Sequence, residues 1–346
     1  MMLRRLTTCL LVGIALTAMG SFGYTYFTLV TTGERMTEAA GSLLASLDDE
    51  QKKAALLPYD SDKRVDWHFI PKDQRKGAQI KHMTEAQREK THQLLQVALS
   101  QVGYDKTTKI ITLETLLKHL QTQGPIRDPL RYYVTLFGEP KADSRWGLSF
   151  EGHHLSLNFV VEGEKVISSS PHALCTNPAE LKDDYLEDFP KGMRVLADEE
   201  TLAYDLVNSL SDKQRKKAIF AAESLAEIRA PGEPHPPTEE PVGIAASDLN
   251  EKQAETLRKL IDVYINNVPQ DVANERRSAL KDAGFEKIHF GWAGGLKEGV
   301  PHYYRVQGPS FVIELVNSQP DQAGNLANHV HCVWRDMRGD FALPIQ

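Results

Sequence analysis

An alternation of apolar and polar side chains over residues 328–336 predicts a β-strand near the C-terminus. Side chains two positions apart on a strand leave the same face of the sheet. One face of this strand carries polar residues, which are His329, His331 and Arg335. The other face carries Val330, Cys332 and Trp334. We expect the second face to pack against the core and the histidine face to remain less packed.

The same kind of pattern predicts the remaining elements. Strands are predicted at 132–137, 148–161, 165–169, 287–292, 302–316 and 329–335. Helices are predicted from Met83 to a stop at Gly103, and at 112–122, 198–210 and 271–283. Strands fall in two clusters with helices before and between them, which favours an α+β fold with a mostly antiparallel sheet flanked by helices.

Three helix starts share a capping box, in which a small polar residue is followed three positions later by glutamine. The pairs are Thr84 with Gln87, Ser211 with Gln214, and Asn250 with Gln253. The repeated device suggests a duplicated helical unit. The helices that follow do not share a longer pattern, so we favour independent helix starts.

Proline recurs so often over residues 229–241 that this stretch excludes regular structure. It is either an interdomain linker or a long surface loop. We favour a loop within one large domain over residues 32–346, because histidine-containing strands lie on both sides of it and are expected to converge.

Residues 1–31 begin with Arg4 and Arg5 and continue as an apolar run. A positive segment followed by an apolar one is the order of a signal peptide, and Ala18-Met-Gly20 is a suitable cleavage site. If uncut, the run is long enough to act as a signal anchor. The protein is therefore expected to be exported, periplasmic or extracellular, with membrane contact only through this segment.

Composition narrows the possible partners. The 346 residues have an ordinary 41% hydrophobic content and a net charge of -7, with no basic cluster, which argues against nucleic acid. Three cysteines give neither a disulfide framework nor a zinc motif, although Cys175 and Cys332 leave one bridge open. No nucleophile elbow, P-loop, His-Glu-x-x-His or dinucleotide motif occurs.

Histidines supply the candidate chemistry. Two imidazoles side by side on a strand chelate a divalent metal when a third ligand joins them. The first-choice ligands are His154, His329 and His331, with His153 as a further candidate. Glu314 stands in an apolar run, where burial is costly unless the carboxylate is paired or metal-bound, so it is a fourth ligand or a nearby base. The ligand set suits zinc, iron, copper or manganese.

The metal decides the reaction. Zinc favours a hydrolase with Glu314 or Glu151 as proton acceptor, whereas iron held by two histidines and Glu314 favours an oxygenase. Arg305, which shares a face with Tyr303, would hold an anionic group of a small-molecule substrate or form a buried ion pair instead. Arg335 and Asn158 are further candidates for substrate contact, Asn158 also as a residue that orients a ligand. The alternatives are an exported metal- or ligand-binding domain without turnover, and a metal-free site with His154 as acid or base.

The motifs resemble a known family. Residues 146–158 with their Glu-Gly-His-His sequence, residues 302–309, Glu314 and the pair His329-Val-His331 are similar to the uncharacterised family catalogued as domain of unknown function 3500, from about Trp67 to Phe341. The resemblance implies a commonly secreted protein with one domain across the proline-rich loop, and no established activity. The chain departs from the family pattern at Met337 and Ala342, in the C-terminal turn.

Overall fold

The structure, a computed structural model, describes residues 30–121, 124 and 126–345. Residues 1–29 of the predicted export segment therefore lie outside the described residues. The described helices are α1 (Thr32–Ser46), α2 (Asp49–Ala55), α3 (Glu85–Ala98), α4 (Gln101–Leu120), α5 (Ala197–Ser209), α6 (Asp212–Ala218), α7 (Glu251–Ile265) and α8 (Gln270–Ala283). Within the described ranges, no helix combines the length and the apolar character needed to cross a membrane.

Thirteen strands form one sheet. They are β1 (Leu56–Leu57), β2 (Ala78–Gln79), β3 (Tyr133–Phe137), β4 (Arg145–Gly152), β5 (Leu155–Glu162), β6 (Lys165–Ser168), β7 (His172–Thr176), β8 (Ile219–Ala221), β9 (Ile244–Ala245), β10 (His289–Gly294), β11 (His302–Gly308), β12 (Phe311–Asn317) and β13 (Val330–Asp336). Nearly all neighbouring strands are antiparallel; β1 with β3 and β8 with β10 are parallel. The predicted fold class, α+β with a mostly antiparallel sheet in a single domain, is confirmed.

Four predicted elements have different boundaries in the structure. The segments at 148–161 and 302–316 are each a hairpin of two strands, β4–β5 and β11–β12. The segment from Met83 to Gly103 and the helix at 112–122 are instead α3 and α4, and Gly103 lies in the first turn of α4. Ser100 ends the first helix sooner because its side chain caps the second. The short buried strand β7 was not predicted.

The order of strands is the same on both sides of the centre of the sheet. From the central pair β7 and β13, one side runs β5, β4, β3, β1 and the other runs β12, β11, β10, β8. The helices also recur in order, with α1 to α4 in residues 32–176 and α5 to α8 in residues 197–336. The described chain is thus built from two similarly ordered halves. The preference for unrelated helix starts was wrong.

The capping boxes occupy equivalent places in the two halves. Gln51 and Gln87, at the starts of α2 and α3, are joined by a side-chain hydrogen bond of 3.2 Å. Gln214 and Gln253, at the starts of α6 and α7, are joined in the same way at 2.9 Å. The capping pattern recurs in the sequence because each half ties two helix starts together.

Both faces of the sheet are buried. The helices cover one face, where Val330, Cys332 and Trp334 join the large core as predicted. On the other face, Trp67 and Phe69 from the loop before β2 and Ile228 from the segment before the proline-rich loop pack on Val333. The expectation that the histidine face stays less packed was therefore wrong, because two loops close over it.

The proline-rich loop lies on this second face. Glu233 accepts hydrogen bonds through its backbone oxygen from Trp67 Nε1 at 2.8 Å and from Arg335 Nη2 at 2.7 Å. The backbone oxygen of Glu239 accepts from Gln307 Nε2 at 2.9 Å. These contacts hold the loop against the sheet, as expected for a loop within one domain.

Candidate metal centre

His154 lies in the two-residue turn of the β4–β5 hairpin. Gly152 and Leu155 pair across the turn, so His153 and His154 connect the strands. His154 has a positive φ of 64°, which is uncommon for a residue with a Cβ. Its backbone N–H donates to Phe69 O at 2.7 Å, and its oxygen accepts from Cys175 N at 2.9 Å. Hydrogen bonds from two other segments therefore fix this imidazole in place.

His329 and His331 enter the site from the start of β13. The backbone N–H of His329 donates to Asn317 Oδ1 at 3.0 Å, which fixes the residue just before the strand. His331 is buried and its ring lies 4.8 Å from that of Phe69, centroid to centroid. His329 remains half-buried. The two histidines share a face, as their spacing predicts.

The three imidazoles converge through their Nε2 atoms. His329 Nε2 lies 2.9 Å from His154 Nε2 and 3.0 Å from His331 Nε2. Ligand atoms of all three residues lie within 4.8 Å of one another. Nitrogen ligands about 2.1 Å from one zinc ion in tetrahedral geometry are about 3.4 Å apart, so a small adjustment of the rings suffices. The group has the composition and geometry to hold a metal ion.

The outer nitrogens of two of these rings have polar partners. Glu227 Oε2 lies 2.7 Å from His331 Nδ1, so the carboxylate accepts the N–H and leaves Nε2 with its lone pair. Asn177 Nδ2 lies 3.4 Å from His329 Nδ1, while Asn177 Oδ1 is buried without a partner among the described residues. Rotation of this amide would offer Oδ1 to an Nδ1–H and free His329 Nε2 in the same way.

The electrostatics favour neutral rings at His329 and His154. Burial, with the neighbouring His331, lowers the pKa of His329 to about 3. Burial and the nearby histidine His153 hold the pKa of His154 well below its usual value. Because only a neutral imidazole has a lone pair for a metal, the environment presents the ligand form at neutral pH.

His153 belongs to a neighbouring group. Its ring stacks on His154 with centroids 3.6 Å apart, but its Nδ1 lies 2.5 Å from Glu114 Oε1 and 2.7 Å from Arg127 Nη1. Glu114, His153 and His154 also bring ligand atoms within 4.8 Å of one another. The Arg127 guanidinium already supplies a cation there, so we assign His153 to the surroundings of the metal group. Burial raises the pKa of Glu114 to about 7.

A small cavity adjoins His153. It has a volume of about 170 Å³. Its walls include three basic side chains, from Lys72, Arg75 and Arg131, and three acidic ones, from Asp73, Glu114 and Asp128. Asp128 pairs with Lys81 at 2.7 Å and Glu114 with His153, while Lys72 pairs with Asp66 at 3.3 Å and Arg75 faces Glu151 at 3.8 Å, so the walls carry charges of both signs. The cavity is large enough for a few water molecules or a small organic molecule.

Glu314 does not join the histidines. Its carboxylate is fully buried and accepts from Arg229 Nε at 2.9 Å and from the Tyr303 hydroxyl. The sequence argument that a buried carboxylate must be paired was sound, but the partner is Arg229, the first residue of the proline-rich loop. The expectation that Glu314 is a fourth ligand or a base beside the metal is therefore corrected, and with it the carboxylate of the oxygenase alternative.

The other candidates are also placed apart from the three histidines. Glu151 pairs with Lys76 at 2.9 Å and faces Arg75 at 3.8 Å. Arg335 pairs with Asp340 at 2.6 Å, and Asn158 donates to Pro171 O at 3.0 Å. Arg305 and Tyr303 lie beside Glu314. The structure gives Glu151, Arg335 and Asn158 structural partners, and the predicted roles of all five residues in catalysis or substrate binding remain predictions.

Sequence reasoning missed three residues of the site, which are Glu114, Asn177 and Glu227. Glu227 lies in an irregular segment and Glu114 in a helix, where acidic residues are common and carry no signal. Cys175 and Cys332 are both buried free thiols, so the possible disulfide is absent from the described residues. Their side chains belong to opposite faces of the sheet.

Fold and site together define a single-domain α+β protein with a three-histidine group on the loop-covered face of its sheet. The chain belongs to the family described as Protein of unknown function (DUF3500), whose model matches residues 30–343. The match extends the resemblance noted at Trp67 to Phe341 across nearly the whole described chain. No curated protein and no solved structure matches the chain.

Glu227 provides a test of the outer contacts. Glu227→Ala removes the acceptor of the His331 Nδ1–H, and we expect metal affinity to fall by about 10- to 100-fold. Competition titration against a chelator measures the change. Glu223→Ala, an exposed acidic residue in the same segment, is the matched control and should leave the affinity unchanged. Equal affinities for Glu227→Ala and the parent protein would refute this role.

Proposed function

We propose that this protein is an exported metal-dependent hydrolase that acts on a small substrate at a mononuclear centre held by His154, His329 and His331. The observation that carries the proposal is the convergence of three Nε2 atoms in steps of 2.9 and 3.0 Å. Three histidines are a ligand set of catalytic zinc sites, which keep a fourth position open. The half-buried position of His329 supports access to that position from solvent.

The metal ion and the protein chain would contribute different parts of the reaction. When bound, the divalent ion supplies a Lewis acid that can acidify a water molecule at neutral pH. The chain supplies the fixed imidazoles, with Glu227 and Asn177 orienting two of them. Among the metals open from sequence, zinc fits best, because the carboxylate that an iron facial triad requires is paired with Arg229.

The surroundings support a small substrate. The adjacent cavity of about 170 Å³ has the size of a small organic molecule, and His153 in its wall stacks on His154. Of its basic side chains, Arg131 bonds only backbone oxygens among the described residues and suits an anionic group. Glu114 and His153 lie 2.5 Å apart and can hold a proton beside the substrate.

Metal analysis of the purified protein tests the proposal. We expect about one zinc ion per chain after dialysis, and hydrolysis of small ester or phosphoester substrates that a chelator abolishes and zinc restores. A full metal complement without hydrolysis across the panel would favour the alternative of an exported metal-binding domain. A chain that takes up no divalent ion would refute both.

Export is a separate part of the proposal. It is motivated by Arg4, Arg5 and the apolar run that follows them. A fusion of the first 40 residues to a reporter that is active only outside the cytoplasm should be active. A fusion lacking residues 1–31 is the control and should be inactive. An inactive full fusion would refute export.

A further inference from the structure

A second polar cluster lies on the same face of the sheet, away from the histidines. Arg305 on β11 pairs in register with Glu314 on β12, and Arg229 lies over Glu314. Gln307 follows Arg305 on the same face. Arg305 on β11 lies two strand spacings, about 10 Å, from the histidine strand β13, whereas Glu314 on β12 lies one spacing away and pairs in register with Val333 of β13. Val316 of β12 pairs in register with Tyr303 on one side and with His331 on the other.

The buried charges of this cluster do not balance. Arg305 is 5% exposed and Glu314 is 0% exposed, and the Arg229 side chain is 16% exposed. Two guanidinium groups therefore face one buried carboxylate. Glu239 also pairs with Arg229, but its side chain is 69% exposed and is screened by water. A buried charge is costly unless it is compensated. One further negative charge would therefore balance the buried charges of this cluster.

Within this cluster, the Arg305 side chain is the one whose hydrogen-bond donors have no partner among the described residues. This side chain makes no hydrogen bond within the described part of the chain, and its Nε is buried without a partner. Burial, followed by the proximity of Arg229, lowers the pKa of Arg305. Its guanidinium carbon lies 6.0 Å from the centroid of the Phe220 ring, a weak contact that replaces no hydrogen bond. A guanidinium with five donors is thus available.

The neighbouring side chains have unused atoms of both kinds. Arg229 Nη2 is a buried donor, and Glu314 Oε2 and Gln307 Oε1 are buried acceptors, each without a partner among the described residues. An anion alone would satisfy only the donors. A molecule that carries a hydroxyl next to its negative charge would satisfy both.

We propose that Arg305, Arg229, Glu314 and Gln307 form a binding site for a small hydroxycarboxylate. The carboxylate pairs with Arg305 and Arg229, and the hydroxyl donates to Glu314 Oε2 or Gln307 Oε1. An amino acid would offer a donor as well, but its zero net charge would leave the cluster positive. Phe220, 38% exposed, provides an apolar wall at the entrance. The site is independent of the metal centre.

Binding of glycolate to the purified full chain tests this assignment, with acetate and glycine as comparators. Calorimetric titration should show that glycolate binds at millimolar concentrations. Acetate should bind more weakly, and glycine should not bind. Arg305→Gln should weaken glycolate binding by about 10-fold or more, because a charged hydrogen-bonding partner is lost. Its metal content should equal that of the parent protein.

Two further variants make the result specific. Arg338→Gln removes an exposed arginine that pairs with Asp336 and should bind glycolate like the parent protein. Gln307→Ala keeps both guanidinium groups and removes one of the two acceptors for the hydroxyl, so it should reduce the preference for glycolate over acetate, which tests the site even if Arg305→Gln does not fold. No glycolate binding by the parent protein, or equal binding by Arg338→Gln and Arg305→Gln, would overturn the proposal.

Discussion

Replacing His329 by alanine should reduce bound metal from about one ion per chain to below about 0.1 after dialysis, because two imidazoles rarely retain a divalent ion against a chelator. His329 is the preferred position for this test. It is half-buried, whereas His331 packs against Phe69 and its truncation would also open a cavity. Mass spectrometry of the metal content and circular dichroism of the same sample give the result.

The control for this variant is His289→Ala. His289 is a half-buried histidine on β10, two strands beyond β12 in the sheet, and it lies outside both histidine groups. It should keep a full metal complement. Unchanged metal content in His329→Ala, with the fold intact, would contradict the assignment of the three histidines as ligands.

Glu314→Ala should lower the free energy of unfolding by about 3–5 kcal/mol, because it leaves buried arginines without their carboxylate. Arg229 loses its 2.9 Å ion pair, and the Tyr303 hydroxyl loses its acceptor. Urea denaturation monitored by tryptophan fluorescence measures the change. Metal content should stay at the parent level, since the carboxylate does not reach the histidines.

The matched control is Glu239→Ala, which removes the other carboxylate that pairs with the same arginine. The Glu239 side chain is 69% exposed, so its loss should cost at most about 1 kcal/mol. A similar small cost for Glu314→Ala would show that the buried pair contributes little. Loss of metal in Glu314→Ala would instead restore the earlier expectation that this residue belongs to the metal site.

The sequence was informative for features that depend on a single strand or helix. A period of two in side-chain direction is a local property of the extended backbone, so the segment at 329–335 placed His329 and His331 on one face before any partner was known. Capping boxes are equally local, and Thr84, Ser211 and Asn250 begin helices as predicted. The costly burial of Glu314 also followed from its apolar neighbours.

Folding decided which distant residues meet. His154 reaches His329 because a two-residue turn and a backbone hydrogen bond to Phe69 set its direction, and neither has a signal in the alternation of residues. Glu227 and Arg229, two positions apart, pair with His331 and Glu314 respectively. Their loop could be recognised only as irregular.

The sequence by itself determined the α+β class, the paired histidines on one face and the need for a partner at Glu314, because these depend on local backbone geometry and on the cost of burial. Only the tertiary structure decided that two similar halves meet at β7 and β13, and that loops cover the histidine face. It also assigned Glu314 to Arg229 and Glu227 to His331. The physical reason is that long-range pairing depends on how loops close over a sheet, and loop paths leave no periodic pattern in the chain.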